Sequence, residues 1–372
     1  MRLRQIDFLR GIAIILVLFR HMEFTPVTHL IGWSGVDLFF VLSGFLVSGL
    51  LFEQYAKEKT VKPLLFLTRR GFKIYPLFYI LTAAIVLIHQ FTGFGTNAAQ
   101  LVPELLFYQN YSEGINPITW SLAVEEHFYI LLVAGVYLAV RAGKLTSRKG
   151  FHAFAITVLL YSLIARVFTS LRYTEFEFYT HYTPTHLRID SLLFGVIIAW
   201  NYYFNRAWLL GFVQRFRKQM LAVAILCLAP LFFFDTDTFY MRTIGLSFLY
   251  LGFGSLLCLF LYSQSFNRKF ERIVPGFIYK AIAKTGIYSY AIYLVHIQVL
   301  NMIKRVVVEK MHIALSNEAL FLLYFGGSIL AGMMLYAIIE MPFLKLRERV
   351  FPKHKTLAKP QPEPKTGTLR PA

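Results

Sequence analysis

Cysteine and acidic side chains are scarce in this sequence. Its 372 residues include two cysteines, and 20 Asp and Glu against 38 Lys and Arg. Cys227 and Cys258 both lie in apolar runs and imply no disulfide framework. No closely spaced His/Cys ligand pair is present, so we expect no metal site. Walker, dinucleotide and Gly-x-Ser-x-Gly fingerprints are also missing, which argues against nucleotide-binding folds and serine hydrolases.

Charge of any sign is scarce as well. Only 16% of the residues are charged and 57% are hydrophobic, with a mean hydropathy of +0.55. Long apolar runs separated by polar loops are typical of helical membrane proteins, because a helix satisfies its own backbone groups in lipid. We therefore predict an all-α, polytopic transmembrane helical bundle of about ten spans. The runs are Phe8–Met22, Trp33–Phe52, Phe72–Phe91, Ile118–Val140, Phe151–Phe168, Leu187–Phe204, Met220–Phe234, Thr243–Tyr262, Ile278–Ile303 and Ala319–Met341.

These runs define one transmembrane domain, residues 1–350. The remaining residues, 351–372, are Pro-rich, basic and almost free of aromatic side chains, and this composition predicts a disordered cytoplasmic tail.

Positive charge is unevenly distributed along the chain. The net charge is +18, and 30 of the 38 Lys and Arg lie in or beside the proposed cytoplasmic segments. Because Lys and Arg concentrate in the cytoplasmic loops of membrane proteins, this pattern predicts that both termini are cytoplasmic. Topology thus accounts for the basic composition, and we expect a multi-pass protein of a cell membrane that binds no nucleic acid.

The first apolar run carries an arginine and a histidine, Arg10 and His21, in the sequence RGIAIILVLFRH. Eleven residues of helix leave an angular offset of about 20°, so both side chains share one face about 16 Å apart. Ionisable side chains within a span usually face the bundle interior, although an arginine near the end can also reach the headgroups. Their shared face favours a functional site.

Further polar residues lie near the predicted external ends of other spans. Burying ionisable groups in lipid is costly unless they meet in a polar cavity. They indicate either a site or a polar network that holds the helices together, and we favour a site. The residues are Asp37, Glu125, Arg188, Asp190 and His296, with Tyr293 on the helical stripe of His296.

A basic group precedes the third run on the predicted cytoplasmic side. Arg69, Arg70 and Lys73 lie in the sequence TRRGFKIYP. Guanidinium groups match phosphate oxygens, which favours a phosphorylated ligand. Anchoring of the helix end at the cytoplasmic surface explains the same residues.

Histidine beside a carboxylate is a standard arrangement for taking a proton from a hydroxyl near neutral pH. His21 with Glu125 or Asp37 fits this description. A membrane transporter of sugars or acyl groups would also bury ionisable residues, but the chain has no inverted repeat and no matching pair of broken spans. A purely structural membrane protein would not need Arg10 and His21 on one face.

Several short motifs occur in the order found in one group of membrane enzymes. The chain resembles the acyltransferase-3 family, integral-membrane proteins that O-acylate carbohydrates and other surface molecules, up to about residue 350. The matching residues are Arg10 and His21 (Arg-x10-His), Phe39 to Gly44 (Phe-Phe-x-x-Ser-Gly) behind Asp37, Arg69 to Pro76 (the basic motif), Trp120 to Glu126, Arg188 to Asp190, Tyr293 to His296 and Glu340 to Pro342.

The resemblance implies transfer of an acyl group from acyl-CoA, usually acetyl-CoA, to a hydroxyl of a carbohydrate or glycolipid. It also implies a bacterial inner membrane protein. On this basis His21 is the expected general base and Glu125 orients it, with Asp37 as a further catalytic carboxylate. The residues expected to hold the CoA phosphates are Arg10, Arg69, Arg70 and Lys73. The residues expected to bind the acceptor are Arg188, Asp190, Tyr293 and His296.

The sequence departs from the family pattern in three places. Lys73 replaces an arginine, which keeps the charge and loses the two-pronged guanidinium. Ala123 replaces a common serine and His127 a common glutamine. Members of the family often carry a fused extracytoplasmic hydrolase-like domain; this sequence shows none, so we expect the membrane domain to modify the acceptor itself.

Overall fold

A computed structural model describes residues 4–22, 24–92 and 96–352. These residues form helices joined by turns and loops, with no strand among them, which confirms the all-α prediction. The predicted tail lies almost wholly outside the described residues. The helices are α1 (Arg4–His21), α2 (Pro26–Gly32), α3 (Gly35–Glu58), α4 (Pro63–Thr92), α5 (Ala98–Leu105), α6 (Trp120–Arg141), α7 (Arg148–Arg172), α8 (Phe178–His181), α9 (Thr185–Phe204), α10 (Arg206–Arg215), α11 (Arg217–Leu228), α12 (Leu246–Tyr262), α13 (Gln264–Ile273), α14 (Gly276–Ile287), α15 (Ser289–Ile303), α16 (Asn317–Leu335) and α17 (Met341–Val350).

Six helical segments are long and apolar enough to cross a membrane, or seven if the bent pair of α14 and α15 counts as one span. The two helices of that pair meet at 81°. The predicted count of ten spans is not confirmed. The other three runs form α1, α9 and α11, of 18, 20 and 12 residues. Charge in α1 and the shortness of α11 set these two helices apart from the six segments. The cytoplasmic placement of both termini stays a prediction. The six segments are Pro26–Glu58, Pro63–Phe91, Pro117–Arg141, Arg148–Arg172, Met241–Tyr262 and Asn317–Val350.

The helices divide into a buried centre and an outer layer. In the apolar 18-residue stretch of the segment that contains α3, 72% is buried, whereas in the corresponding stretch of α7 only 22% is buried. Leu160, Ile164 and Phe168 on α7 are exposed. An outer face of large apolar side chains fits a lipid environment, because water would penalise it. The centre around α3 is therefore where polar side chains need partners from the protein.

Glycine allows two pairs of helices to approach very closely. A Cβ on Gly11 of α1 would overlap the carbonyl oxygen of Ile282 on α14, and one on Gly44 of α3 would overlap that of Leu192 on α9. Small residues at helix contacts are the usual means of close packing in membranes. These contacts fix α1 and α3, and with them the polar residues that both helices carry.

Candidate active site

A cavity of about 100 Å³ lies between α1, α3, α4, α6 and α15. Its lining residues on α3 run from Val36 to Val47, at helical spacings of three and four. Eleven residues of helix extend about 16 Å, so the lining on α3 is about 16 Å long. We call it the channel. Its α3 residues are Val36, Phe39, Phe40, Leu42, Ser43, Leu46 and Val47.

Three cationic side chains, Arg10, Arg70 and Lys73, line one end of the channel, which we call the basic end. The guanidinium of Arg10 donates to the Oγ of Ser289 at 2.9 Å. Lys73 has no hydrogen-bond or ion-pair partner in the described part of the chain. Glu340 is buried nearby and offsets part of this positive charge. The basic end therefore keeps unpaired donors that an anionic ligand can use.

Arg70 joins the basic end to the middle of the channel. Its Nη2 donates to the hydroxyl of Tyr129 at 2.5 Å, and its guanidinium carbon lies 4.5 Å from the centre of the same ring. The Tyr129 hydroxyl in turn donates to Glu125 Oε2 at 2.6 Å. Arg70 also lies 3.7 Å from that carboxylate oxygen. Glu125 and Tyr129 lie one helical turn apart on α6, which aligns them for this contact.

The carboxylate of Glu125 forms part of the channel wall in the middle of its length. Its second oxygen, Oε1, accepts a hydrogen bond from the Ser43 hydroxyl at 2.6 Å. An ionised carboxylate has about four acceptor positions. Two are used here, so Glu125 can still accept hydrogen bonds from a bound molecule.

Two histidines lie beyond the other end of the channel, which we call the histidine end. The rings of His21 and His296 are 4.9 Å apart between centroids. His21 is exposed and His296 is fully buried. Tyr293, which lines the channel, has its ring 5.8 Å from that of His296. Tyr293 therefore lies between the channel lining and the histidine pair.

Helices α1 and α15 both extend from the basic end of the channel to the histidine end. Arg10 binds Ser289 at the basic end, and His21 meets His296 at the histidine end. The distance along α1 is about 16 Å, which matches the length of the channel wall on α3. Of the α1 residues, Arg10 lines the channel, and His21 lies beyond its other end.

Glu125 and Asp37 do not contact His21. In the described residues no hydrogen bond joins His21 to either carboxylate. Both oxygens of Glu125 are engaged by Ser43 and Tyr129. Glu125 lies one turn further into the bundle than Ser121, and it is Ser121 that reaches Tyr293. Asp37 is occupied by Arg188.

Asp37, Arg166, Arg188 and Asp190 form what we call the ion-pair cluster. Arg188 binds Asp37 and Arg166 binds Asp190, each at 2.7 Å, and all four side chains are at most 1% exposed. None of the four lines the channel. They join α3, α7 and α9, so these groups hold helices together, the alternative left open by the sequence.

Aromatic rings enclose the guanidinium of Arg188 within the ion-pair cluster. Its carbon lies 4.5 Å from the ring centre of Tyr182, 5.5 Å from that of Phe40 and 5.7 Å from that of Trp120. Such faces attract a cation and also exclude water. Arg188 and Asp190 were expected to bind the acceptor, but the structure surrounds them with protein.

Arg69 also lies away from the channel. Its guanidinium donates to the carbonyl oxygen of Phe351 at 2.7 Å and binds Glu348 on α17 at 3.1 Å. Arg70, the next residue in the sequence, lies on a different face of the same helix and lines the channel. Of the four residues expected to hold phosphates, the structure thus brings three together.

Helix α5 contains a buried acid, Glu104. Its Oε1 accepts a hydrogen bond from the Thr119 hydroxyl at 2.7 Å, and the side chain is fully buried. Burial raises the pKa of Glu104 to about 7, because a charged carboxylate loses its hydration. No lysine or arginine within the described residues forms an ion pair with Glu104.

Arg20 fixes the end of α1 next to His21. Its Nη1 donates to Asp235 Oδ2 at 3.1 Å and to the carbonyl oxygen of His29 at 3.4 Å. Although burial favours a neutral carboxyl, hydrogen bonds from Thr236 and Arg20 hold the pKa of Asp235 below its usual value. The helix end that presents His21 is thus tied to α2 and to the loop before α12.

Sequence reasoning assigned no role to Ser43, Ser121 or Arg166. Ser121, Glu125 and Tyr129 recur every four residues, so a helical stripe on α6 was visible in the sequence. Arg166 was detectable as an arginine within an apolar run, which needs a carboxylate partner. Among the described residues no group of three His, Cys, Asp or Glu is placed to hold a metal ion.

Comparisons with known proteins point in one direction. A family model described as "Acyltransferase domain" matches residues 3–337. The peptidoglycan O-acetyltransferase OatA of Listeria monocytogenes is 26% identical over 364 residues, which cover 91% of this chain and 55% of that protein. A Staphylococcus aureus protein named "Putative O-acetyltransferase" is 26% identical over 210 residues, covering 52% of this chain and 34% of that protein.

A third relative is the Bacillus subtilis protein named "Putative peptidoglycan O-acetyltransferase YrhL", 28% identical over 164 residues, which cover 38% of this chain and 25% of that protein. The chain spans about half the length of the Listeria relative and a smaller part of the other two. No solved structure matches it.

Proposed function

Because this chain belongs to the acyltransferase-3 family, we propose that it transfers an acetyl group from cytoplasmic acetyl-CoA to a hydroxyl of a cell-envelope carbohydrate. The observation that carries this proposal is the channel, with cations at one end and a histidine pair beyond the other. The names of the Listeria and Bacillus relatives make peptidoglycan the first acceptor to test.

The two ends of the channel fit the two ends of an acyl-CoA. The phosphates carry several negative charges, and Arg10, Arg70 and Lys73 supply complementary donors. The channel lining on α3 extends about 16 Å, a length that suits an extended arm. The phosphates therefore stay at the mouth of the basic end, while the arm extends along α3 and carries its thioester toward His21.

The reaction needs a base where donor and acceptor meet. His21 is exposed at the end of α1 that is predicted to face outward, so an external hydroxyl can reach it. A nitrogen of His21 takes the hydroxyl proton as the oxygen attacks the thioester carbonyl carbon. The carbon–sulfur bond then breaks, and the thiolate leaves and takes the proton from His21. The products are an ester and free CoA.

Glu125 has a different role in this proposal from the one its sequence position suggested. Its free acceptor positions face the channel beside Ser43, halfway between the two ends. The arm of CoA carries amide N–H groups, which are donors. Glu125 and Ser43 therefore bind and align the arm, whereas Asp37, Arg188 and Asp190 maintain the packing of α3 and α9.

The test uses purified full-length protein in liposomes with radiolabelled acetyl-CoA and peptidoglycan fragments. We expect labelled ester on the carbohydrate and one CoA released per ester formed. Phosphate-free S-acetyl thioesters should serve as much poorer donors. The proposal fails if acetyl-CoA neither binds nor releases CoA with any carbohydrate offered, while the protein stays folded.

A transporter is distinguished in the same experiment. It would move label across the liposome membrane without forming an ester. Ester formation that does not change when Arg10, Arg70 and Lys73 are neutralised would remove the channel from the proposal.

A further inference from the structure

His296 is a buried histidine with one ring nitrogen committed and one free. Its Nδ1 lies 2.7 Å from the backbone carbonyl oxygen of Tyr293. A carbonyl oxygen can only accept, so Nδ1 carries the proton. In the neutral ring, Nε2 then presents a lone pair.

That lone pair has no donor in the structure. His296 is 0% exposed, and Nε2 has no hydrogen-bond partner among the described residues. An acceptor buried without a partner is unfavourable, because it loses its hydration and gains no hydrogen bond in exchange. His296 is held in place by its Nδ1 and has an unpaired acceptor at Nε2, so a hydrogen-bond donor that reaches Nε2 would stabilise it.

The ring of His21 lies beside that of His296 and carries an N–H that can serve as the donor. The two rings are 4.9 Å apart between centroids and tilted by 56°, in contact but not hydrogen-bonded. His296 cannot turn without losing its bond to Tyr293, whereas His21 is exposed at the end of α1. Rotation of the His21 ring is therefore the movement that aligns the pair. Catalytic hydrogen bonds are often long in ligand-free structures and shorten when substrate binds.

We propose that His296 is the positioning residue for His21, a role that rests on the proposed function. Nε2 of His296 accepts a hydrogen bond from one ring N–H of His21. This contact fixes the tautomer of His21 and leaves its other nitrogen free to take the proton of the acceptor hydroxyl. When His21 becomes an imidazolium, the same contact stabilises it. No proton leaves the pair, because His21 returns its proton to the departing thiolate.

Two amide replacements of His296 separate this role from a purely structural one. In His296→Gln the side-chain oxygen lies near the former position of Nε2, and in His296→Asn the polar group lies near that of Nδ1. The proposal predicts that Gln keeps the larger part of kcat, whereas Asn and Ala lose about 10²-fold. The KM for acetyl-CoA should stay unchanged in all three, because the basic end is intact.

A structural role predicts the opposite order. Asn would then preserve the bond to the Tyr293 carbonyl and retain activity, Gln would not, and activity would follow thermal stability across the variants. Asn equal to or better than Gln, at matched stability, overturns the proposal.

A second measurement covers the case in which His296→Gln does not fold. In protein that already carries His21→Ala, the further change His296→Ala should cost no additional activity, since the base it positions is gone. A further loss of tenfold or more, with the protein still folded, contradicts the proposal. If wild-type protein releases CoA from acetyl-CoA, either result bears on His296 alone; if it does not, the proposed function itself has failed.

Discussion

The ion-pair cluster and the channel both contain arginines, buried in the cluster and half-buried in the channel, and the two regions differ in how those arginines are paired. In the cluster, Arg166 and Arg188 each bind a carboxylate at 2.7 Å and are shielded from solvent. In the channel, Arg10 donates to a neutral serine and Lys73 has no partner among the described residues. Both regions lie against α3, so position in the fold does not distinguish them.

The difference shows how to separate structural charges from functional ones. A fully paired buried charge has no capacity left for a ligand, and its removal leaves the other partner unpaired. A charge that faces a cavity with donors to spare can bind something that is not part of the protein. The comparison predicts that changes in the cluster act on stability and changes in the channel act on donor binding or transfer.

The largest effect is expected from Asp37→Ala. It leaves the guanidinium of Arg188 buried without its carboxylate, and breaking such a pair costs about 3–5 kcal/mol. We expect little folded protein in detergent, measured by thermal unfolding and size-exclusion chromatography. Replacing both partners together, with Asp37→Leu and Arg188→Met, should recover part of the folded fraction. A folded, inactive Asp37→Ala protein would instead place Asp37 in catalysis.

His21→Ala should have the next largest effect, confined to chemistry. Loss of a general base lowers the rate by about 10²–10⁴-fold. Because His21 is exposed and the basic end is about 16 Å away along α1, stability and acetyl-CoA affinity should stay close to wild type. His127→Gln is the matched control, since His127 bonds Thr185 and does not line the channel. Joint loss of binding and transfer in His21→Ala would mean that His21 packs helices.

Spacing along the sequence predicts which residues share a helix face, but it does not predict which residues of different helices meet. The helical repeat puts Arg10 and His21 on one face of α1; in the structure Arg10 lines the basic end of the channel and His21 lies beyond the histidine end. Which carboxylate meets which base depends on the neighbours of each helix, and spacing along one chain does not encode them. In the sequence, Glu125 and Asp37 are both candidate partners for His21, yet close packing at Gly44 puts α9 and Arg188 beside Asp37.

The fold shows the same division. Apolar runs predict helices well because hydrophobicity is local, and every run is helical in the structure. The sharp bend between α14 and α15 interrupts a run that reads as continuous, and it brings Ser289 to the basic end. Arg69 and Arg70 are indistinguishable by composition; only the packing of α17 separates their directions.

A smaller effect should separate those two arginines. Arg70→Gln removes a cation that lines the channel, and one charge-assisted hydrogen bond contributes about 1.5–3 kcal/mol. We expect acetyl-CoA to bind roughly 10- to 100-fold more weakly. Arg69→Gln should change donor binding by less than threefold and lower stability slightly, because its partners are Glu348 and Phe351. Isothermal titration calorimetry measures the acetyl-CoA affinity of both variants. Equal weakening in the two would contradict the separate roles given to Arg69 and Arg70.

The smallest effect concerns Glu104, a buried acid without a cationic partner. Its pKa of about 7 in the folded protein exceeds the ordinary 4.5, so Glu104 stays protonated to a higher pH in the folded state than in the unfolded state. Its contribution to stability is fully present below pH 4.5 and declines, by about 1–3 kcal/mol, as pH rises to 7. Glu104→Gln should flatten this part of the stability profile and melt higher than wild type at pH 8. Identical profiles would show that folding does not raise the pKa of Glu104.

The most direct test of the two-ended channel is to find where each end of the donor lies. An acyl-CoA analogue with a photoreactive group on its acyl chain, and a second with the group on the adenine, can each be cross-linked to the full-length protein and the labelled peptides mapped by mass spectrometry. The account predicts that the acyl label falls near His21, Val36 and Phe39, and that the adenine label falls on the first turns of α4 near Arg70. Acyl labels at the basic end, or the same peptides labelled by both analogues, would contradict it.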